Sequence, residues 1–270
     1  MKTRPIFEQF AIDWPSPIVV RKCLEISYID FRLMVQNDLY NLCKDIYFGD
    51  IFIVRKAIDS KSILKLREKI FNFGITTESL FHKISEGVPN FHQIVDENPK
   101  FKILMRSHNF HFFHWNKDQF GIFPLFGDIL KLFQIISGYH PDYFNDRKPS
   151  SDLVTRLQIH HYPSGGGYMS SHQDPSQFVK AFFLTCMSSY NLDYFEGGLY
   201  VLDSKNNKLF LDPKVFIGDL ILGYPTLIHG VQPIDPTKTL DWNSIQGRWM
   251  FLFNNLQPAR IKESSKASNY

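Results

Sequence analysis

LVTRLQIHHYPSGGGYMSSHQD, residues 153–174, decides the fold. In its first half, polar and apolar side chains alternate strictly. Arg156, Gln158, His160 and Tyr162 fall on one face, and Leu157, Ile159 and His161 on the other, as a strand requires. A face with four polar side chains is not packed dry, so it predicts a pocket wall. A solvent-facing edge strand is the alternative, and it weighs more for Arg156 than for Gln158. The glycine run then turns the chain. Beyond it come KAFFLTCMSSY, LYVLD, KLFL, FIGDLILGYP, TLIHGV and GRWMFLFNN, short β-rich runs punctuated by turn residues. Strands this short and this regularly spaced predict a sandwich or barrel, not βαβ units.

Upstream, residues 1–150 have a mixed α/β texture. IFIVRKAI (51–58) predicts a strand, and SKSILKLREKIFNFG (60–74) a helix with Ser60 at its start and Gly74 after its end. A second helix is predicted within 119–138, with a break near Pro124. Residues 257–270 are polar and predict a loose tail. The whole, 1–270, reads as one domain.

Composition narrows the function classes. With 44% hydrophobic residues in 270, a buried core is well supplied. The 26 Phe and 12 Tyr point first to packing and second to an aromatic-lined cleft. The net charge of +3 comes from scattered basic residues, not a run, so nucleic acid is not expected as a partner. No window predicts a membrane span or secretory signal, and Cys23, Cys43 and Cys186 have no paired spacing. A cytoplasmic protein is the expectation, with its oligomeric state left open.

Three side chains can serve a metal. A non-haem iron site takes two imidazoles and one carboxylate on one face, leaving the other positions open. His172 and Asp174, two apart in an extended stretch, would point the same way. Alone, the pair reads equally as a polar turn. His229, in TLIHGV, would be a buried imidazole in need of a partner, and a hydrogen-bonded core histidine is the ordinary outcome. Arg248, in GRWMFLF, would be a guanidinium inside an apolar strand, stable only against a carboxylate. Such a carboxylate could belong to a bound organic acid or to the protein.

Taken together, Tyr162-Pro-Ser-Gly-Gly-Gly-Tyr168 through His172-Gln-Asp174, Glu196-Gly197-Gly198-Leu199, Gly218-Asp219, His229-Gly-Val-Gln-Pro-Ile and Gly247-Arg248 resemble the 2-oxoglutarate/Fe(II) dioxygenases, nearest their prolyl-4-hydroxylase-like branch. The resemblance implies an α+β protein, a double-stranded β-helix (jelly-roll or cupin-like) core over 151–256 with N-terminal helices packed on it. It implies Fe(II) held by His172, Asp174 and His229, with 2-oxoglutarate salt-bridged to Arg248 and Tyr162 near its carboxylates. Gln158 is a further co-substrate contact suggested by the strand alternation. O2 would be consumed, with ascorbate as a supporting reductant, and an unactivated C–H bond hydroxylated with release of succinate and CO2. The intact Asp174 favours hydroxylation over halogenation.

Two features depart from the family pattern. The loop between His229 and Arg248 is long, so that Arg248 depends on its folding out of the barrel, with Arg260 as the fallback. Ser188 and Ser189 stand where oxygen-sensing prolyl hydroxylases tend to place tyrosine. The expected substrate is therefore a small metabolite, such as an amino acid, a sugar-derived compound or a natural-product intermediate. A peptidyl hydroxylase, a non-catalytic sensor on the same barrel, and a metal-dependent cupin hydrolase or isomerase are the alternatives. His108, His111 and His114 stand three apart, which on a helix would gather imidazoles for a second metal, although packing is the simpler reading. Cys186 reads as core.

Overall fold

The computed structural model describes residues 6–99 and 102–258. Along the chain come α1 (Ile6–Asp13), β1 (Lys22–Ser27), α2 (Tyr28–Asn37), α3 (Leu39–Tyr47), β2 (Asp50–Arg55), α4 (Ser60–Thr76), β3 (Phe91–Asp96), β4 (Met105–Phe112) and α5 (Ile122–Ile136). There follow β5 (Val154–Pro163), β6 (Gly167–His172), β7 (Phe182–Cys186), β8 (Gly198–Leu202), β9 (Lys208–Phe210), β10 (Leu220–Gly223), β11 (His229–Ile234) and β12 (Gly247–Leu256).

The last eight strands form two antiparallel groups of four, in the orders β10-β7-β12-β5 and β6-β11-β8-β9. This is the expected double-stranded β-helix. β4 joins the groups by pairing with both β5 and β6. On the far edge, β2 pairs antiparallel with β10 and β1 runs parallel to β2. Residues before 150 thus supply four strands to the sheet as well as the helices packed on it, where the sequence pattern predicts one.

Period-2 burial positions the pocket. Along β12, Trp249 and Phe251 face the helical side while Met250 and Leu252 face the cavity. Phe126 of α5 stacks on Phe251 at 3.6 Å, and Phe133 lies 5.4 Å from Phe253. Much of the phenylalanine content is therefore core packing, as is Cys186, whose thiol burial pushes up to about 12. The segments 51–58 and 60–74 become β2 and α4, with one correction. The cap is Asp59, whose carboxylate accepts from the Ser62 N–H at 2.8 Å, and not Ser60. Pro124 makes no break. It sits in the first turn of α5, where backbone N–H groups lack helical partners anyway, and Asp118 accepts from the N–H groups of Gly121, Ile122 and Phe123. The expected loose tail and the fallback Arg260 lie outside the described residues, apart from 257 and 258.

Gly74 also departs from expectation, because it lies inside α4 and not after it. A Cβ there would come within 2.5 Å of His108 Cε1 and 2.9 Å of Phe110 Cε1. Alanine would ordinarily favour a helix by about 1 kcal/mol over glycine. Here Gly74→Ala is expected to lower stability by about 1–3 kcal/mol through overpacking, read by thermal or urea unfolding. A stabilised variant would show that β4 can move away.

The three closely spaced histidines fall on β4 and just past it, not on a helix. His108 turns to His92 and stacks on Phe110, whereas His111 faces the other way, against Phe91 and Gln158. Desolvation holds both well below the ordinary imidazole range. Among the described residues the one cluster with metal-ligand geometry lies elsewhere. No helix among them is long and apolar enough to cross a membrane.

Candidate metal centre and pocket

β6 ends on His172 and β11 begins on His229, and the two residues are paired across the strands. Asp174 lies two residues past β6, fixed by its N–H donating to the Pro225 carbonyl at 2.9 Å. Gln173 turns away and donates to the Thr226 carbonyl at 2.7 Å. The Asp174 carboxylate then lies 3.7 Å from His172 Nε2 and 3.7 Å from His229 Nε2. One ligand atom from each of the three side chains falls within 4.8 Å of the others.

The imidazoles are oriented from behind. Each Nδ1 lies 2.8 Å from a carbonyl, that of Ser170 for His172 and that of Leu227 for His229, and against a carbonyl a ring nitrogen can only donate. The tautomer is thereby fixed, and both Nε2 lone pairs are left toward Asp174. Burial, helped by the neighbouring His229, lowers the His172 pKa against the opposing pull of Asp174. Neutral imidazoles beside a carboxylate are the protonation state a divalent ion needs.

From this cluster a cavity of about 690 Å³ runs along the inner faces of β5 and β12. Arg156, Gln158, His160 and Tyr162 all line it, as the alternation predicts. His161, on the opposite face, stacks on Trp249 at 4.1 Å. A polar ladder runs along the wall. Gln158 Nε2 lies 3.4 Å from His111 Nδ1 and 3.3 Å from His160 Nε2, and His160 Nδ1 lies 3.2 Å from the Tyr162 hydroxyl. Burial, with the Arg156 and Arg248 charges nearby, drops His160 to about 3, and burial raises Tyr162. The ladder is uncharged at neutral pH.

Arg248 is where expectation and structure diverge. The loop at 235–246 does fold out, and β12 returns with Arg248 in register with Tyr162. Yet the guanidinium is buried and bidentate on a protein acid. Nε and Nη2 donate to Asp212 at 2.7 and 3.1 Å, while Nη1 reaches Met250 Sδ at 2.9 Å. Arg248 is not among the cavity-lining residues, though Met250 is. Asp212 also accepts from the Tyr194 hydroxyl and the Leu199 N–H. A Cβ on Gly198 would fall 2.3 Å from its Oδ2, and so the Glu-Gly-Gly turn makes room for this carboxylate. Asp212 is the residue that sequence reasoning missed. The only signal was the need of Arg248 for some acid.

No family model and no curated protein sequence matches the chain. Solved structures do. The chain is similar to a Pseudomonas putida prolyl-4-hydroxylase, with a TM-score of 0.51 and 10% identity over 81% of this chain and 98% of that one. It is similar to a Trichoplax adhaerens prolyl hydroxylase in complex with a hypoxia inducible factor oxygen degradation domain peptide fragment, with a TM-score of 0.51 and 11% identity over 88% and 96%. An oxidoreductase of the 2OG-Fe(II) oxygenase family from Burkholderia pseudomallei follows at 0.44 and 10% over 89% and 96%. The fold, a double-stranded β-helix, is the one these two prolyl hydroxylases share.

Proposed function

We propose that this chain is an Fe(II)- and 2-oxoglutarate-dependent dioxygenase that hydroxylates an unactivated C–H bond of a small molecule. The observation that carries the reading is the convergence of two tautomer-fixed imidazoles and one carboxylate on the wall of a cavity. The donor set fits Fe(II), and His172, Asp174 and His229 would hold it. When bound, iron and 2-oxoglutarate supply the oxidising chemistry, in which O2 is consumed and the co-substrate leaves as succinate and CO2.

The chain's own residues do the rest. The carbonyls of Ser170 and Leu227 hold the imidazoles in place, and the neutral Tyr162 hydroxyl, whose other neighbour is the weak acceptor Met169 Sδ at 3.9 Å, can donate to a co-substrate carboxylate. Gln158 keeps His160 and Tyr162 aligned. For Arg248 to serve the co-substrate, Nη1, the nitrogen Asp212 does not engage, must first be uncovered by movement of the Met250 side chain that lines the cavity in front of it, and its contribution is then a hydrogen bond more than an uncompensated charge. The volume of the cavity suits a small metabolite. Ser188 and Ser189 offer no tyrosine, in line with a substrate other than peptidyl proline.

One observation favours a second reading, a metal- or small-acid-binding sensor without turnover: the charge of Arg248 is already matched inside the protein. Anaerobic addition of Fe(II) and then 2-oxoglutarate separates the two. The oxygenase is expected to develop a weak visible charge-transfer band, and on admission of O2 to release succinate, faster with metabolite extracts than with proline peptides. A protein that binds Fe(II) but shows neither band nor succinate is the sensor.

A further inference from the structure

We propose that the primary substrate is a monocarboxylic acid with an apolar body, and that Arg156 receives its carboxylate at the end of the cavity remote from the metal. The inference deepens the oxygenase reading of the same pocket and rests on it.

Arg156 is the only Lys or Arg among the residues that line the cavity, and no hydrogen bond or ion pair to its guanidinium is present among the described residues. Its Nε is buried without a partner. A cation in such a place is costly unless something covers it: Arg248 meets Asp212 and Arg67 meets Asp193, whereas no acid meets Arg156 among the described residues. Burial lowers Arg156 to about 10, so it remains charged at neutral pH. The cover is therefore expected from a ligand.

Register places it. On the β5–β12 pair, Tyr162 faces Arg248, His160 faces Met250, and Arg156 faces Asn254. The Tyr162 hydroxyl reaches Met169 Sδ on β6, the strand that ends on His172, and lies 3.2 Å from His160 Nδ1, so the ligand cluster sits at the Tyr162 and His160 end of the wall. Arg248 is paired with Tyr162 at that end, and Arg156 lies four residues beyond His160, about 13 Å along a strand. A co-substrate at the metal lies at the Arg248 end of the wall. The farther cation, Arg156, is left for the molecule to be oxidised.

Charge and polarity give the class. His160 and His111 stay neutral, so one guanidinium is the whole positive charge of this wall, enough for a carboxylate and short of a phosphate dianion. Phe81, Phe178, Phe182, Leu184 and Leu252 line the cavity, Phe182 at the metal end 5.6 Å from His229, which suits a hydrocarbon or aromatic body between the two ends.

The test is calorimetric titration of the full chain with straight-chain acids from butanoate to dodecanoate and phenylalkanoic acids, each beside its alcohol. At least one acid is expected to bind about tenfold or more tighter than its alcohol. Arg156→Met should erase that preference and leave the alcohol within about twofold, while Arg156→Lys keeps part of it. Acids and alcohols binding alike in the unaltered protein, or no binding by any acid, overturns the proposal whether or not the variants fold. A drop in 2-oxoglutarate affinity in Arg156→Met, with the acids unaffected, also overturns it and makes Arg156 the co-substrate's anchor. If the acid preference holds but no Fe(II)/2-oxoglutarate band forms, the anchor stands and the oxygenase reading fails.

Discussion

Asp174→Ala is expected to weaken Fe(II) binding by about 100-fold or more and to bring substrate-dependent succinate formation to background. The magnitude follows from removing the only carboxylate of the set, which leaves two neutral imidazoles to hold a divalent ion. The metal-free protein should unfold within about 0.5 kcal/mol of the original, because the Asp174 side chain is 42% exposed and alanine keeps the N–H that bonds Pro225. Equilibrium dialysis with Fe(II), urea unfolding without metal and coupled succinate detection separate the two effects. Unchanged iron affinity or turnover would refute the assignment. Acid should also weaken loading, since protonated imidazoles cannot ligate. Because burial lowers the pKa of His172, this ligand stays neutral and able to bind iron at pH values where an ordinary imidazole is already protonated.

Why the convergence of His172, Asp174 and His229 was readable and its surroundings were not is a matter of where the determining contacts lie. His172, Asp174 and His229 are constrained by their own chemistry, and the β5 alternation names its pocket-facing side chains directly, so both are written in residue type and local period. β3 and β4 are different. FHQIVD and MRSHNFHF carry no clean alternation, and β4 exists because the open edges of β5 and β6 both require a partner. The same event splits His108 from His111 across the sheet, away from the common side that a helix would have given them. For Arg248 the local sequence states a demand for a carboxylate, while its supplier comes from a single 3-10 turn, Asp212–Lys214, that nothing near Arg248 can reveal.

That hidden partner sets the other large expectation. Arg248→Met should cost about 3–5 kcal/mol, since the exchange strands the Asp212 carboxylate, 2% exposed, against an apolar side chain. Asp212 would keep the Tyr194 hydroxyl and the Leu199 N–H, but neither neutralises its charge. Adding Asp212→Asn should therefore restore much of the loss, because the amide keeps an acceptor for those donors and carries no charge to strand. In a double-mutant cycle by urea unfolding of the metal-free protein, the pair should couple by well over about 1 kcal/mol. A loss below about 1 kcal/mol for Arg248→Met, or simple additivity, would mean the ion pair is not what holds β12 to the turn before β10. Because these readouts contain neither iron nor 2-oxoglutarate, they isolate the structural share of Arg248. Any extra loss of co-substrate affinity in the variant whose stability has been restored then measures what Nη1 contributes to the pocket.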